Sequence, residues 1–141
     1  MKLSFISTDH ALYADELELR FRVLREPLGH TREQVAFPFE RESLHLVAHS
    51  GGRVHGCVLF HPEDSEGGRL FQMAVATQGK GLGAQLVRTL EAALRHRGFS
   101  HVHMHARDSA LGFYQKLGYA IHGEPFFEVG VLHYHMARTL S

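Results

Sequence analysis

Three groups of residues in this chain have types and spacings that could do chemistry. The first is Gln78-Gly79-Lys80-Gly81-Leu82-Gly83, lying between an apolar run and an amphipathic one. Glycine admits a tight turn at positive φ and lets a ligand approach the main chain. The first amides of a helix lack intrahelical acceptors and sit at its positive end. A strand, a glycine turn and a helix start therefore make a cradle for an anion, phosphate above all. The loop G-x-x-x-x-G-K-[ST] is excluded, because Gly81 follows Lys80. The dinucleotide pattern G-x-G-x-x-G is excluded by glycine spacing and by the antiparallel strands upstream. A glycine turn without ligand competes with a cradle for some other phosphate-bearing group. Lys80 either adds charge beside that group or is simply solvated.

The second is Tyr114, a phenol able to donate a proton or a core aromatic beside Phe113. The third is the histidines, thirteen of them, scattered from His10 to His135. His101, His103 and His105 alternate, as do His133 and His135, so each set shares a strand face. Imidazole is a common metal ligand. No carboxylate or cysteine pattern completes a site, so the expectation is a polar face without metal, and the role of these stripes stays open. Thirteen imidazoles also make the charge steep between pH 6 and 8. Cys57, between Gly56 and Val58 with no basic cluster nearby in sequence, reads as a buried, inert thiol.

These residues need a scaffold. Residues 3–7 suit an edge strand, and a helix is expected from His10 to Leu24, capped by Asp9 and ended by Pro27 and Gly29. Thr31 to Gln34 can open one helical turn. Three strands follow as an antiparallel meander: one from Ser43, Val54 to Phe60 and Arg69 to Val75. The turns between them are Ser50-Gly51-Gly52 and the polar residues 62–68. Leu82, Leu86, Leu90 and Leu94 then mark a helix running to about Arg97, with Gly98 behind it. His101 to Ala106 is a strand, Ala110 to Leu117 a short helix, and Tyr119 to Gly123 and Val131 to Ala137 two last strands. The class is α+β, or α/β with a mixed sheet.

With 141 residues, one domain spanning 1–141 is expected. Fifteen basic and fifteen acidic side chains cancel, which leaves no basic footprint for nucleic acid. No apolar run is long enough to span a bilayer. A single cysteine excludes an internal disulfide framework, and early acidic residues argue against a leader, so the expected compartment is the cytoplasm.

Gln78 to Gly83 also fits the acyl-CoA pyrophosphate pattern Q/R-x-x-G-x-G/A. About 25 residues further on, Ala110-x-x-Phe113-Tyr114-x-Lys116-x-Gly118-Tyr119 resembles the second signature of GNAT-type N-acetyltransferases. The likeness covers about residues 43–138, and the tail from Gly123 to His133 looks like the small bacterial ElaA-like branch. Two departures stand out. Gly130-Val131-Leu132-His133 lacks the branch's usual proline, and only Ala76 and Thr77 separate Val75 from Gln78.

The resemblance implies a splayed mixed sheet of about six or seven strands with about four helices. It implies acetyl-CoA as acyl donor, a small-molecule or peptide amine as acceptor and no resident metal. The pantetheine arm would pair with Gln72 to Val75, and the Met73, Ala74 and Val75 amides are candidate oxyanion donors. The pyrophosphate would lie on the amides of Gln78, Gly79, Lys80, Gly81, Leu82, Gly83 and Ala84. Tyr114 matches the residue that protonates the leaving thiolate. Glu128 and His133 border the acceptor side as candidate bases, with Glu124 or His105 acting through water as alternatives. A homodimer is compatible with this. A non-catalytic acyl-CoA-binding module and a histidine-rich metal-binding protein are the rival readings.

Overall fold

A computed structural model describes all 141 residues. In chain order the strands and α-helices are β1 (Lys2–Ile6), α1 (Tyr13–Arg20), β2 (Leu44–Ser50), β3 (Arg53–Pro62), β4 (Gly67–Val75) and α2 (Leu82–His96). Then come β5 (His101–Arg107), α3 (Leu111–Lys116), β6 (Ala120–Ile121), β7 (Phe126–Glu128) and β8 (Val131–Thr139). All strands share one sheet in the order β1-β2-β3-β4-β5-β8-β6, with β7 also pairing β8. Every pairing is antiparallel except β4 with β5. The mixed sheet and the meander of β2, β3 and β4 follow the sequence pattern.

Each face of the sheet carries its own core. On one face α2 buries Leu86, Val87, Leu90 and Leu94 against Leu46, Val58, Val102, Met104 and Met136. On the other, α1 and the segment after it cover Val47, Cys57, Leu59, Phe71 and Ala74. Full burial of such side chains stabilises by about 1.5–3 kcal/mol each. β2 is buried on both sides through its middle, which explains why Leu46, Val47 and Ala48 run on without a polar break.

Three expectations need correction. The sheet has eight strands rather than six or seven, because the three-residue β7 gives no periodic signal of its own. There are three α-helices rather than four. Between α1 and β2 the chain instead makes a π-helical turn (Phe21–Arg25) and three 3₁₀ turns (Glu26–Leu28, Arg32–Gln34 and Glu40–Glu42), where Pro27 and Pro38 forbid a continuous helix. Finally, α1 starts at Tyr13 behind Leu12 with no side-chain cap, so Asp9 does not cap it.

Two features of β4 open the sheet. Its parallel pairing with β5 extends only from Gly67–Arg69 to His101–His103, and beyond that the strands part. At the junction there is no room for side chains. A Cβ on Gly68 would lie 2.1 Å from the His61 carbonyl oxygen, and one on Gly67 would lie 2.4 Å from that of His101. Further along, Leu59–Cys57 of β3 pairs with Phe71–Ala74 of β4, so β4 carries one extra residue. Gln72 takes that place as a bulge with φ 53°. The bulge resets the alternation, so Leu70, Met73 and Val75 face α2 while Phe71 and Ala74 face α1.

The bulge is tied to a buried polar cluster. Arg20 Nε donates to Gln72 Oε1 at 3.1 Å. The same guanidinium binds Glu16 at 2.8 Å, Glu40 at 2.5 and 2.8 Å and the Val35 carbonyl at 3.0 Å. Tyr13 donates to Glu40, and His45 bridges Glu16 and the Glu40 carbonyl. The carboxylates of Glu16 and Glu40 and the ring of His45 lie close enough to share a cation, but Arg20 already supplies the positive charge among them.

Candidate active site

Where β4 and β5 part, a cavity of about 230 Å³ runs between the two faces of the sheet. Its walls include Leu70 to Val75 of β4, Met104 to Arg107 of β5, and Gln78 of the glycine turn. Tyr114 reaches it from the α2 face, and Phe37 and Phe71 line it on the α1 face. Of the residues singled out in the sequence, Met73, Ala74, Val75, Gln78, Tyr114, Glu128 and His133 therefore meet around one space.

The glycine turn lies at one end of that gap. Gly79 and Gly81 have φ of 79° and 75°, and a Cβ on either would meet nothing within 4 Å, so the surface above them is open. Gly81 is the N-cap of α2, and no side chain caps that helix end. The first amides of a 15-residue helix thus face outward beside glycine backbone, which suits phosphate oxygens. Gly83 is different: a Cβ there would lie 3.2 Å from the Phe113 ring, so it allows α2 and α3 to pack closely. Lys80 and Leu82 line a separate, more open depression with His55 and Gln85. Gly79, Gly81, Gly83 and Ala84 do not line the cavity between β4 and β5.

Tyr114 is buried, 5% exposed, with its ring edge-on to Phe113 and Tyr119. Burial pushes its phenol well above the ordinary value, so it holds its proton at neutral pH. On the opposite side, β7 and β8 bring up Glu128 and His133. His133 Nδ1 lies 2.8 Å from the Val131 carbonyl and must donate to it, so in the neutral ring Nε2 is the acceptor. Glu128 Oε2 lies 2.9 Å from His105 Nδ1. Glu124 is exposed and does not line the cavity.

The histidine ladders do adjoin. His105 pairs directly with His135, and the His103 and His135 rings are 5.4 Å apart, edge to face. His103 Nε2 binds Glu63 at 2.5 Å, so carboxylates answer two of these rings from elsewhere in the chain. Burial, and then the neighbouring His103 and His105, hold His135 below the usual imidazole range. Cys57 is fully buried, its thiol pushed up by burial and donating to the Gln72 carbonyl at 3.4 Å.

Sequence reasoning missed three arginines at the cavity: Arg25 from the π-helical turn, Arg69 from β4 and Arg107 from β5. No local motif marks them, because three separate segments supply one each. The tight turn Glu128-Val129-Gly130-Val131 was equally illegible. Val129 has φ 50° and Gly130 has φ 75°, a conformation that a β-branched residue rarely takes.

Comparison with known proteins agrees with this geometry. A family model described as an acetyltransferase (GNAT) domain matches residues 24–140. Escherichia coli ElaA superposes with a TM-score of 0.81 at 21% identity, over 97% of this chain and 98% of that one. An aminoglycoside 6'-N-acetyltransferase complexed with coenzyme A superposes with a TM-score of 0.81 at 19% identity, over 100% and 98%. At these identities the likeness is one of fold. YyaT of Bacillus subtilis (strain 168) is 39% identical over 61 residues, which is 43% of this chain and 41% of that protein. The chain thus matches about two fifths of the length of its curated relatives. No helix is long and apolar enough to cross a membrane.

Proposed function

The chain belongs to the GNAT acetyltransferase family, and on that premise we propose that it transfers an acetyl group from acetyl-CoA directly to an amine. One observation carries the reading. A single cavity between the parted β4 and β5 runs from Gln78 of the glycine turn, past Tyr114, to Glu128 and His133. A thioester threaded through that gap would have a phosphate cradle at one end and titratable groups at the other. The pyrophosphate would be held by the amides of residues 78–84, and the pantetheine arm by the β4 edge that β5 leaves free.

The amine lone pair attacks the thioester carbonyl carbon and forms a C–N bond. The carbonyl oxygen takes up negative charge, for which the amides of Met73 to Val75 are the candidate donors. The C–S bond then breaks, and the Tyr114 hydroxyl gives its proton to the thiolate. The amine must be neutral to attack and must lose a proton as the amide forms. Glu128, with its His105 partner, is one acceptor for it, and His133 Nε2 is the other. Both face the same space.

The test combines binding and chemistry. Acetyl-CoA should raise the melting temperature, and free CoA thiol should appear only when an amine is present. Stabilisation without thiol release over a broad amine panel would favour a non-catalytic acyl-CoA-binding module. Stabilisation by zinc or nickel instead of CoA would favour the metal-binding reading.

A further inference from the structure

The α1-face end of the cavity is strongly cationic. Arg25, Arg69 and Arg107 line it, against one carboxylate, Glu128. The guanidiniums are poorly answered. Arg25 is 8% exposed, its guanidinium makes no hydrogen bond within the protein, and its Nε is buried without a partner. Arg69 also has a buried, unpartnered Nε. Its Nη2 lies 4.0 Å from Glu128 and 3.4 Å from His105 Nδ1, a nitrogen that already donates to Glu128 in the shorter contact. Arg107 spends one nitrogen on the Leu24 carbonyl at 2.7 Å. Burying a charge without a partner is costly, and a site that keeps several such charges together is built to receive the opposite sign. Burial, and then repulsion from Arg107 and Arg20, already weakens the hold of Arg25 on its proton, which an incoming anion would reverse.

The donor's phosphates do not answer these charges. The phosphate cradle is at the start of α2, whose helix packs on one face of the sheet. Arg69 alternates with Phe71 on the other face, its guanidinium 5.9 Å from the Phe71 and Phe37 ring centres. Arg107 shares the face of His103 and His105 by strand alternation, and Arg25 leads out of α1. The arginines therefore border the side from which an acceptor would enter.

We infer that the acceptor is an amine that also carries an anionic group, a carboxylate or a phosphate, bound by Arg25, Arg69 and Arg107 while its amine faces Glu128. This rests on the acetyl-transfer reading and narrows it to a substrate class. Polycationic amines are disfavoured, because each added ammonium would meet three guanidiniums.

The test uses the full chain with acetyl-CoA and follows thiol release. One arm contains α- and ω-amino acids, the second phosphate monoesters of amino alcohols, and the third the same amines with the acid capped as amide or the phosphate removed. The fourth contains spermidine and an aminoglycoside. Turnover should be fastest in the first two arms, and the better of them identifies the anion. Capping should reduce kcat/KM by roughly 10- to 100-fold, the size of a charge-assisted hydrogen bond. Arg25→Gln should raise the acceptor KM by a similar factor, with kcat and CoA-induced stabilisation little changed. Arg69→Gln gives a second reading should the first variant fold poorly. Equal or better turnover of capped or polycationic amines would overturn the inference and leave acetyl transfer standing. So would an Arg25→Gln or Arg69→Gln variant with parental acceptor KM, or one that loses CoA binding instead. Failure of CoA to stabilise the protein, or of every arm to release thiol, would remove the acetyl-transfer reading itself.

Discussion

Tyr114 concentrates the question of mechanism in one oxygen. The hydroxyl belongs to a buried ring in the wall of the cavity, and burial keeps it protonated. Packing and catalysis make different demands on it. Packing needs only the ring, which Tyr114→Phe retains against Phe113 and Tyr119. Catalysis needs the proton. General acid assistance is typically worth about 10²- to 10⁴-fold. The Phe variant should therefore lose kcat in that range while acetyl-CoA still raises its melting temperature. Parental kcat would give Tyr114 a packing role only, and water or the acceptor ammonium would become the proton source. Tyr114 was legible in the sequence because it follows Phe113 in the signature that begins at Ala110, on the short helix α3 that Ala110 and Leu117 flank. The arginines were not, because their convergence depends on the π-helical turn and on the β4–β5 register, which are tertiary facts.

At the scale of elements, the splay of β4 from β5 makes the site, and glycine acts there in two distinct ways. Gly81 is needed for its conformation and open surroundings. Asp tolerates left-handed backbone better than most residues, and Gly81→Asp has free space for its side chain. Its carboxylate would lie at the start of α2 and compete with phosphate for the same amides. The expected outcome is a melting temperature within a few degrees of the parent and no further rise with CoA. A variant stabilised by CoA as the parent is would dissociate the turn from the pyrophosphate. Gly68 is needed for its lack of bulk. A Cβ there would collide with the His61 backbone, which cannot rotate away. Gly68→Ala should cost about 3 kcal/mol, the upper end of overpacking, and lower the melting temperature by roughly 10 °C. A calorimetric scan that finds the variant as stable as the parent would mean that the junction of β3, β4 and β5 is looser than its contacts imply. The sequence showed the meander, α2 and the glycine turn because each has a local period or a local punctuation. It showed neither the bulge at Gln72 nor β7, since a polar residue in an apolar strand and three residues after a proline have no period to read.

For the molecule as a whole, the buried cluster of Glu16, Arg20, Glu40 and His45 links the N-terminal covering of the sheet to the bulge at Gln72. Its geometry fixes its charge. His45 Nδ1 lies 3.0 Å from a Glu16 carboxylate oxygen and Nε2 lies 2.8 Å from the Glu40 carbonyl, so both nitrogens face groups that only accept. Both must donate, and the ring is an imidazolium. Two carboxylates are then balanced by one guanidinium and one imidazolium. Burial by itself would lower the pKa of His45, but the hydrogen bond and charge of Glu16 outweigh it, and the net direction is upward. A raised folded-state pKa means stability that is fully present below the unfolded value, about 6.5, and lost as pH climbs through the folded one. Glu40 acts at the opposite end. Burial opposes its charge, yet bonds from Arg20 hold it below the usual carboxylate range, so its contribution disappears only in acid. His135, held down by burial and neighbouring histidines, works against His45 in the same window, so the parent's pH profile alone would mix the two. His45→Gln separates them, because it removes the titration of His45 and leaves His135 in place. The parent should melt well above this variant at pH 6, and the gap should narrow as pH rises toward 9. A gap constant across that range would show that His45 does not change its charge there, and that the cluster holds together by hydrogen bonding without a titrating member.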